Sequence, residues 1–219
     1  MSDDMALFFI IIGVVLVFIY KRSKRSVYGN EIPLGPGDYR IGEDLDPGKG
    51  DLVAVNGTGD ICIKERGNDV WNNPFKLGKD NPAVPNRYRN LTLHPSDILQ
   101  INGKVKLLIE PPTPIADVKD AELTLGTYQF GVDVPPAKYD LKATSGTGQV
   151  TFFAPNESEF SFYQDMGADA DGKAAVYSNL LCEDGSRLVV DGTLKIKLTP
   201  SKKQRGRFNK LLDFVNQDP

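Results

Sequence analysis

The chain has 219 residues, a formal net charge of −3 and 25% charged side chains, the composition of an ordinary globular protein. Residues 26–200 hold 17 basic and 25 acidic side chains, and an acidic body repels phosphate backbones, which argues against nucleic acid as a partner. One histidine, His94, is present, too few for a repeated His-based triad or a multi-histidine metal site.

Residues 5–20, MALFFIIIGVVLVFIY, carry no charge and would span about 24 Å as a helix at about 1.5 Å per residue. Tyr20, Lys21 and Arg22 can reach the lipid interface and make up the remaining thickness. The start carries Asp3 and Asp4, and no small-residue cleavage site follows, so residues 1–25 are expected to be a transmembrane anchor rather than a cleaved signal. Lys21, Arg22, Lys24 and Arg25 lie just after the apolar run and no cation precedes it. Loops rich in Lys and Arg stay in the cytoplasm, so the N-terminus is expected outside and the rest of the chain at the cytoplasmic face. Export of a long C-terminal region despite those charges is the alternative, and it would make the domains extracellular.

A first domain is expected over residues 32–111. Tyr39, Arg40 and Ile41, then Leu52 to Val55, then Ile61 to Ile63 have strand character, with a turn marked by Asp44, Pro47 and Gly48 and a hairpin turn expected at Asn56-Gly57-Thr58-Gly59. Residues 66–87 lose the pattern and contain Trp71 and Phe75, and an irregular stretch of that length in a compact domain tends to be functional. Ile98 to Ile101 and Val105 to Ile109 flank Asn102-Gly103, a pair that predicts a hairpin.

Residues 112–121 read as a Pro-containing linker, stiff and extended. Beyond it, residues 126–200 repeat residues 37–111 without a gap at an offset of 89, with 21 of 75 positions identical. Gly37/Gly126, Asp44/Asp133, Lys49/Lys138, Asp51/Asp140, Asn90/Asn179 and Gly103/Gly192 are among them. Most identities are turn-forming residues, so the reading is a duplicated fold. The expected class is all-β: two tandem small antiparallel β-sandwich or barrel domains, at 32–111 and 122–200, after one N-terminal transmembrane helix.

Possible chemistry is sparse. Asp44/Asp133 and Asp51/Asp140 occur in both copies, and capping of backbone N–H groups in the loops explains them better than paired acid–base catalysis. Tyr39 and Tyr128 match, and are expected to pack across the sandwich with each hydroxyl on the backbone. Asp165, Asp169, Asp171 and Gly172 concentrate oxygen ligands but lack EF-hand spacing, so a solvated loop is expected rather than a calcium site. Cys62 aligns with Thr151 and Cys182 with Leu93; a disulfide built into the unit would have been duplicated, so both are expected to be buried free thiols. No cofactor and no small-molecule substrate are expected.

Residues 201–219 form a basic tail. Phe208, Leu211, Leu212 and Val215 fall at i, i+3, i+4 and i+7, with Lys202, Lys203, Arg205, Arg207 and Lys210 on or before them. That pattern suits a short C-terminal amphipathic helix, resting on an anionic membrane surface or docking its apolar face on the second domain.

The second copy carries Tyr128-x-x-Gly131-x-Asp133-Val134-Pro135-x-x-Lys138-Tyr139-Asp140-x-x-Ala143-x-Ser145-Gly146-x-Gly148, then Met166-Gly167, then Asn179-Leu180 and Gly192-x-Leu194-Lys195-Ile196-Lys197-Leu198. In these residues it resembles an uncharacterised β-domain of membrane-anchored and soluble proteins of Gram-positive bacteria. That family usually has Ala-Gly-Lys-Tyr where this chain has Pro136-Ala137-Lys138-Tyr139; the first copy has the glycine, as Gly48, but Gly50 in place of the tyrosine. The resemblance implies a β fold and a bacterial membrane setting, and brings no catalytic residue. The expected function is therefore non-enzymatic: a membrane-anchored binding or scaffold protein, whose partners are the lipid bilayer and either a protein or, if the domains are extracellular, a cell-envelope polysaccharide or protein. Trp71 and Phe75 in residues 66–87, and Phe160, Phe162 and Tyr163 in the matching irregular excursion at residues 155–175, are the candidate partner-binding aromatics, with completion of the core as the competing role.

Overall fold

The computed structural model describes residues 33–65, 74–112, 115, 121–157, 160–167 and 174–201. The apolar run at residues 5–20, Trp71 and residues 202–219 of the basic tail lie outside them. No helix among the described residues is long and apolar enough to cross a membrane.

The described residues are all-β. Strands β1 (Gly37–Arg40), β2 (Gly48–Asn56), β3 (Thr58–Lys64), β4 (Phe75–Gly78), β5 (Arg87–Leu93), β6 (Ile98–Gly103) and β7 (Lys106–Glu110) come first. They are followed by β8 (Glu122–Leu123), β9 (Gly126–Gln129), β10 (Ala137–Ser145), β11 (Thr147–Phe153), β12 (Phe162–Gly167), β13 (Val176–Cys182), β14 (Arg187–Val190) and β15 (Lys195–Pro200). The chain divides into two compact units. Unit 1 holds residues up to Thr113 together with Thr124–Tyr128 and Val189–Thr193; unit 2 holds Pro114–Leu123, Gln129–Leu188 and the residues from Leu194 on.

In unit 1 one sheet runs β1-β6-β3-β4, while β2 pairs antiparallel with both β5 and β7. Side chains alternate across each strand, as a pleat requires. In β3, Gly59, Ile61 and Ile63 turn inward, and in β7 Leu107 and Ile109 do. With Leu34, Ile41, Leu45, Leu52, Leu77, Leu99 and Ile101 they form the core between the sheets. In unit 2, β10 pairs with β13 and β15, β15 with β8, and β11 with β12. Tyr139, Leu141 and Ala143 of β10 face Ile196 and Leu198 of β15 in the buried layer.

Local geometry recurs at the 89-residue spacing. Gly42 and Gly131 have φ of 93° and 89°, Gly57 and Gly146 of 65° and 72°, and Asn90 and Asn179 of 56° and 63°. The register slips at Gly50/Leu52 in β2 and at Tyr139/Leu141 in β10, bulges that open the strand where Asp51 and Asp140 sit.

Two details differ from the sequence expectation. The irregular excursions each contain a strand: β4 pairs with β3, Thr58 opposite Gly78, and β12 pairs with β11, Thr147 opposite Gly167. A four-residue FKLG strand has too few alternations to register as periodic. The Asn102-Gly103 turn also does not close a hairpin, because β6 pairs with β1 and β3 whereas β7 pairs with β2. It is a corner where the chain changes sheets, and Asn56-Gly57 is another. The corners press together, since a Cβ on Gly57 would lie 2.2 Å from the Lys104 carbonyl oxygen. Glycine is required there for its positive φ and for its missing side chain.

Candidate functional site

The matched acidic residues hold the backbone. Asp44 Oδ2 accepts the Arg40 N–H at 2.8 Å and Asp133 Oδ2 accepts the Gln129 N–H at 2.9 Å, each closing its own loop. Asp51 and Asp140 reach across strands instead: Asp51 Oδ1 accepts the Asn90 N–H and Asp140 Oδ1 the Asn179 N–H, both at 2.8 Å. Asparagine tolerates the left-handed conformation that the bulge imposes, and the carboxylate satisfies the amide the bulge takes out of the ladder.

Around those shared bonds the units diverge. In unit 1 the buried Asp51 also takes Arg87 Nη1 at 3.0 Å, and Arg87 Nη2 reaches Glu110 Oε2 at 2.7 Å. In unit 2 Val176 and Thr199 stand at the equivalent positions, and Asp140 accepts the Ser201 hydroxyl at 2.7 Å. That bond and the Asn179 N–H hold the Asp140 carboxyl below its ordinary value.

Tyr39 donates to the Gly35 carbonyl at 3.0 Å and Tyr128 to that of Thr124 at 2.9 Å. Tyr128 is fully buried and its oxygen also accepts the Thr124 N–H. Tyr139 anchors to the Pro135 carbonyl at 2.8 Å. These hydroxyls pin loops, and burial raises those of Tyr128 and Tyr139 further from ionisation. Both cysteines are free thiols; Cys182 is buried, which pushes it up to about 12, whereas Cys62 is half-buried. Neither is poised as a thiolate nucleophile at neutral pH. His94 is exposed in a turn, where its N–H meets Asp97 Oδ2 at 2.7 Å. Asp165 is described, on β12, and accepts from Gln149 Nε2 at 3.1 Å; Asp169, Asp171 and Gly172 lie outside the described residues. Among the described residues no cluster of His, Cys, Asp or Glu could hold a metal ion.

The candidate aromatics separate by burial. Phe75, on β4, is half-buried, packs on the unit 1 core and has its ring centroid 4.4 Å from that of Tyr88. Phe162 is half-buried in a stack, 5.5 Å from Phe152 and 4.8 Å from Tyr177. Phe160 and Tyr163 stand out, 55% and 59% exposed, edge to face at 5.5 Å. Sequence reading missed Tyr177, Val176 and Leu181 of β13; the latter two are 57% and 55% exposed. In that strand Leu180 and Cys182 are buried and the rest are exposed or half-buried, which offers no clean alternation from which to find them; the identity of Tyr88 and Tyr177 at the 89-residue offset is the signal that could have.

Compared with known proteins, the chain matches no family model and no curated sequence.

Proposed function

We propose that this is a non-enzymatic, membrane-anchored binding or scaffold protein that displays two duplicated β-sandwich units at the cytoplasmic face of a bacterial membrane. The observation that carries the binding role is the exposed Phe160–Tyr163 pair. Large rings held in a fixed edge-to-face arrangement on a strand-bearing scaffold offer contact area at little entropic cost. The side chains matched between the copies support a role other than catalysis: Asp44, Asp133, Asp51, Asp140, Tyr39 and Tyr128 are all engaged with backbone groups. The anchor rests on the apolar run at residues 5–20 and the cations after it, and the bacterial setting on the resemblance of residues 128–198.

The Phe160→Ala/Tyr163→Ala double variant is expected to change stability by less than about 0.5 kcal/mol, as surface substitutions do, while losing most of the partner protein that the wild-type chain captures from membrane extracts. Equal capture by both chains would remove the patch from consideration. The face of the membrane has its own test: protease added to intact cells should leave residues 33–201 whole. Digestion would place them outside and favour the envelope-binding alternative.

A further inference from the structure

In unit 1 the outer edge of β5 is closed by a short strip of chain. Residues Thr124–Tyr128 run beside it in parallel, with Arg89 opposite Gly126. The Arg89 N–H donates to the Leu125 carbonyl at 3.0 Å, and the Tyr88 hydroxyl lies 3.1 Å from Thr127 Oγ1. The approach depends on glycine. Gly126 has φ of 151°, and a Cβ on it would sit 2.5 Å from the Arg89 carbonyl oxygen.

Eighty-nine residues on, β13 is built as β5 is: Tyr177 corresponds to Tyr88, Ser178 to Arg89, and Asn179 to Asn90 with the same positive φ and the same bond to an aspartate. Yet β13 ends its sheet, with β10 as its one paired neighbour among the described residues. Ser178 is exposed on it, and so are Val176 and Leu181. Eighty-nine residues back, Gly35 to Tyr39 correspond to Thr124–Tyr128. They keep the conformation: Gly37 has φ of 149°, and Tyr39 bonds Gly35 as Tyr128 bonds Thr124. Strand β1 also ends its sheet, with β6 as its one paired neighbour among the described residues. Among the described residues, the place where Arg89 presses on Gly126 is open beside Gly37, whose Cβ would meet only the Tyr39 ring at 3.9 Å.

We propose that these two open edges are the halves of one joint: β1 of one copy adds to β13 of a second copy in the parallel register that Gly126 takes on Arg89. The Ser178 N–H donates to the Pro36 carbonyl, and the Tyr177 hydroxyl meets the Asp38 carboxylate where Tyr88 meets Thr127. The contact is heterologous, so it joins copies head to tail and extends into rows unless the rotation closes a ring. The chain's own tail is a poorer occupant. At the same spacing it has Val215, and a side chain is what this approach excludes. The inference is independent of the aromatic patch and of which side of the membrane the units face.

The test uses the full-length chain in mild detergent on a Cys62→Ser background, Cys182 being buried. Asp38→Cys and Tyr177→Cys chains, one of them enlarged by a tag, are mixed and oxidised. The tagged–untagged disulfide is expected to dominate. A yield no higher than that of Asp38→Cys mixed with a chain bearing cysteine at exposed Asp60 overturns the joint, and so does a Val215→Cys/Tyr177→Cys chain that closes on itself in preference. Sedimentation provides the second measurement. Self-association should weaken about tenfold in Ser178→Pro, which lacks the edge donor, and a chain that stays monomeric at every concentration overturns the proposal.

Discussion

Replacing Asp51 by alanine is expected to destabilise unit 1 by about 3 kcal/mol, the cost of leaving a buried backbone donor unsatisfied together with the loss of a charge-assisted hydrogen bond. Asp51 is fully buried and does two things at once. Its Oδ1 satisfies the Asn90 N–H at the bulge, and its Oδ2 holds Arg87 at 3.0 Å. Alanine strands the Asn90 N–H, which cannot turn back to β2 because the register has already slipped there, and leaves Arg87 with Glu110 as its remaining carboxylate. The melting temperature should fall by roughly 15 °C, given about 4–8 °C per kcal/mol in a domain of this size. A fall of less than about 3 °C would show that water replaces the carboxylate without loss.

The matched change in unit 2, Asp140→Ala, should cost less, because Asp140 sits nearer solvent and holds no arginine. Its loss has a pH signature. The folded state depresses the Asp140 carboxyl, so its contribution is present above the unfolded value and is lost as pH falls through the folded one. Wild type and Asp140→Asn should therefore differ in stability at neutral pH and converge below about pH 4. Thermal melts of both chains across that range check the sign, and a gap that widens on acidification would contradict it.

The second large effect is expected at Tyr128. Tyr128→Ala should cost about 4 kcal/mol, the range for emptying a buried aromatic site. Tyr128→Phe should cost about 1–2 kcal/mol, because it keeps the ring and strands the Thr124 N–H and carbonyl that the hydroxyl serves. At the matched position, Tyr39→Ala should cost less, since that ring is half-buried and makes the carbonyl bond alone. Denaturant melts of the three variants give the order, and equal losses at Tyr39 and Tyr128 would refute it.

The parts of this fold that local chemistry dictates were legible in the sequence. Asp44 and Asp133 cap amides four residues away, and Tyr39 and Tyr128 reach carbonyls four residues away, so a short window contains both donor and acceptor. The Asp51–Asn90 bond joins residues 39 apart, and no window shows that an aspartate on one strand serves an asparagine on another. The Asn-Gly signal identified turns at Gly57 and Gly103 but not their kind. Whether a turn returns the chain along its neighbour or carries it to the facing sheet depends on which strands pair, a tertiary property. The same limit governs the aromatics. Phe75 and Phe160 occupy similar polar excursions, and what separates them is tertiary: Phe75 packs on the unit 1 core, with the Tyr88 ring 4.4 Å away.

Unit 1 includes Thr124–Tyr128 and Val189–Thr193, which a growing polypeptide emits well after β7. A ribosome that has just released Glu110 has delivered β1 to β7 without the strip that covers Arg89. Completion of the first unit therefore waits on later synthesis, and a deletion that stops at the proline-rich joint would leave behind an uncovered β5 rather than a finished half.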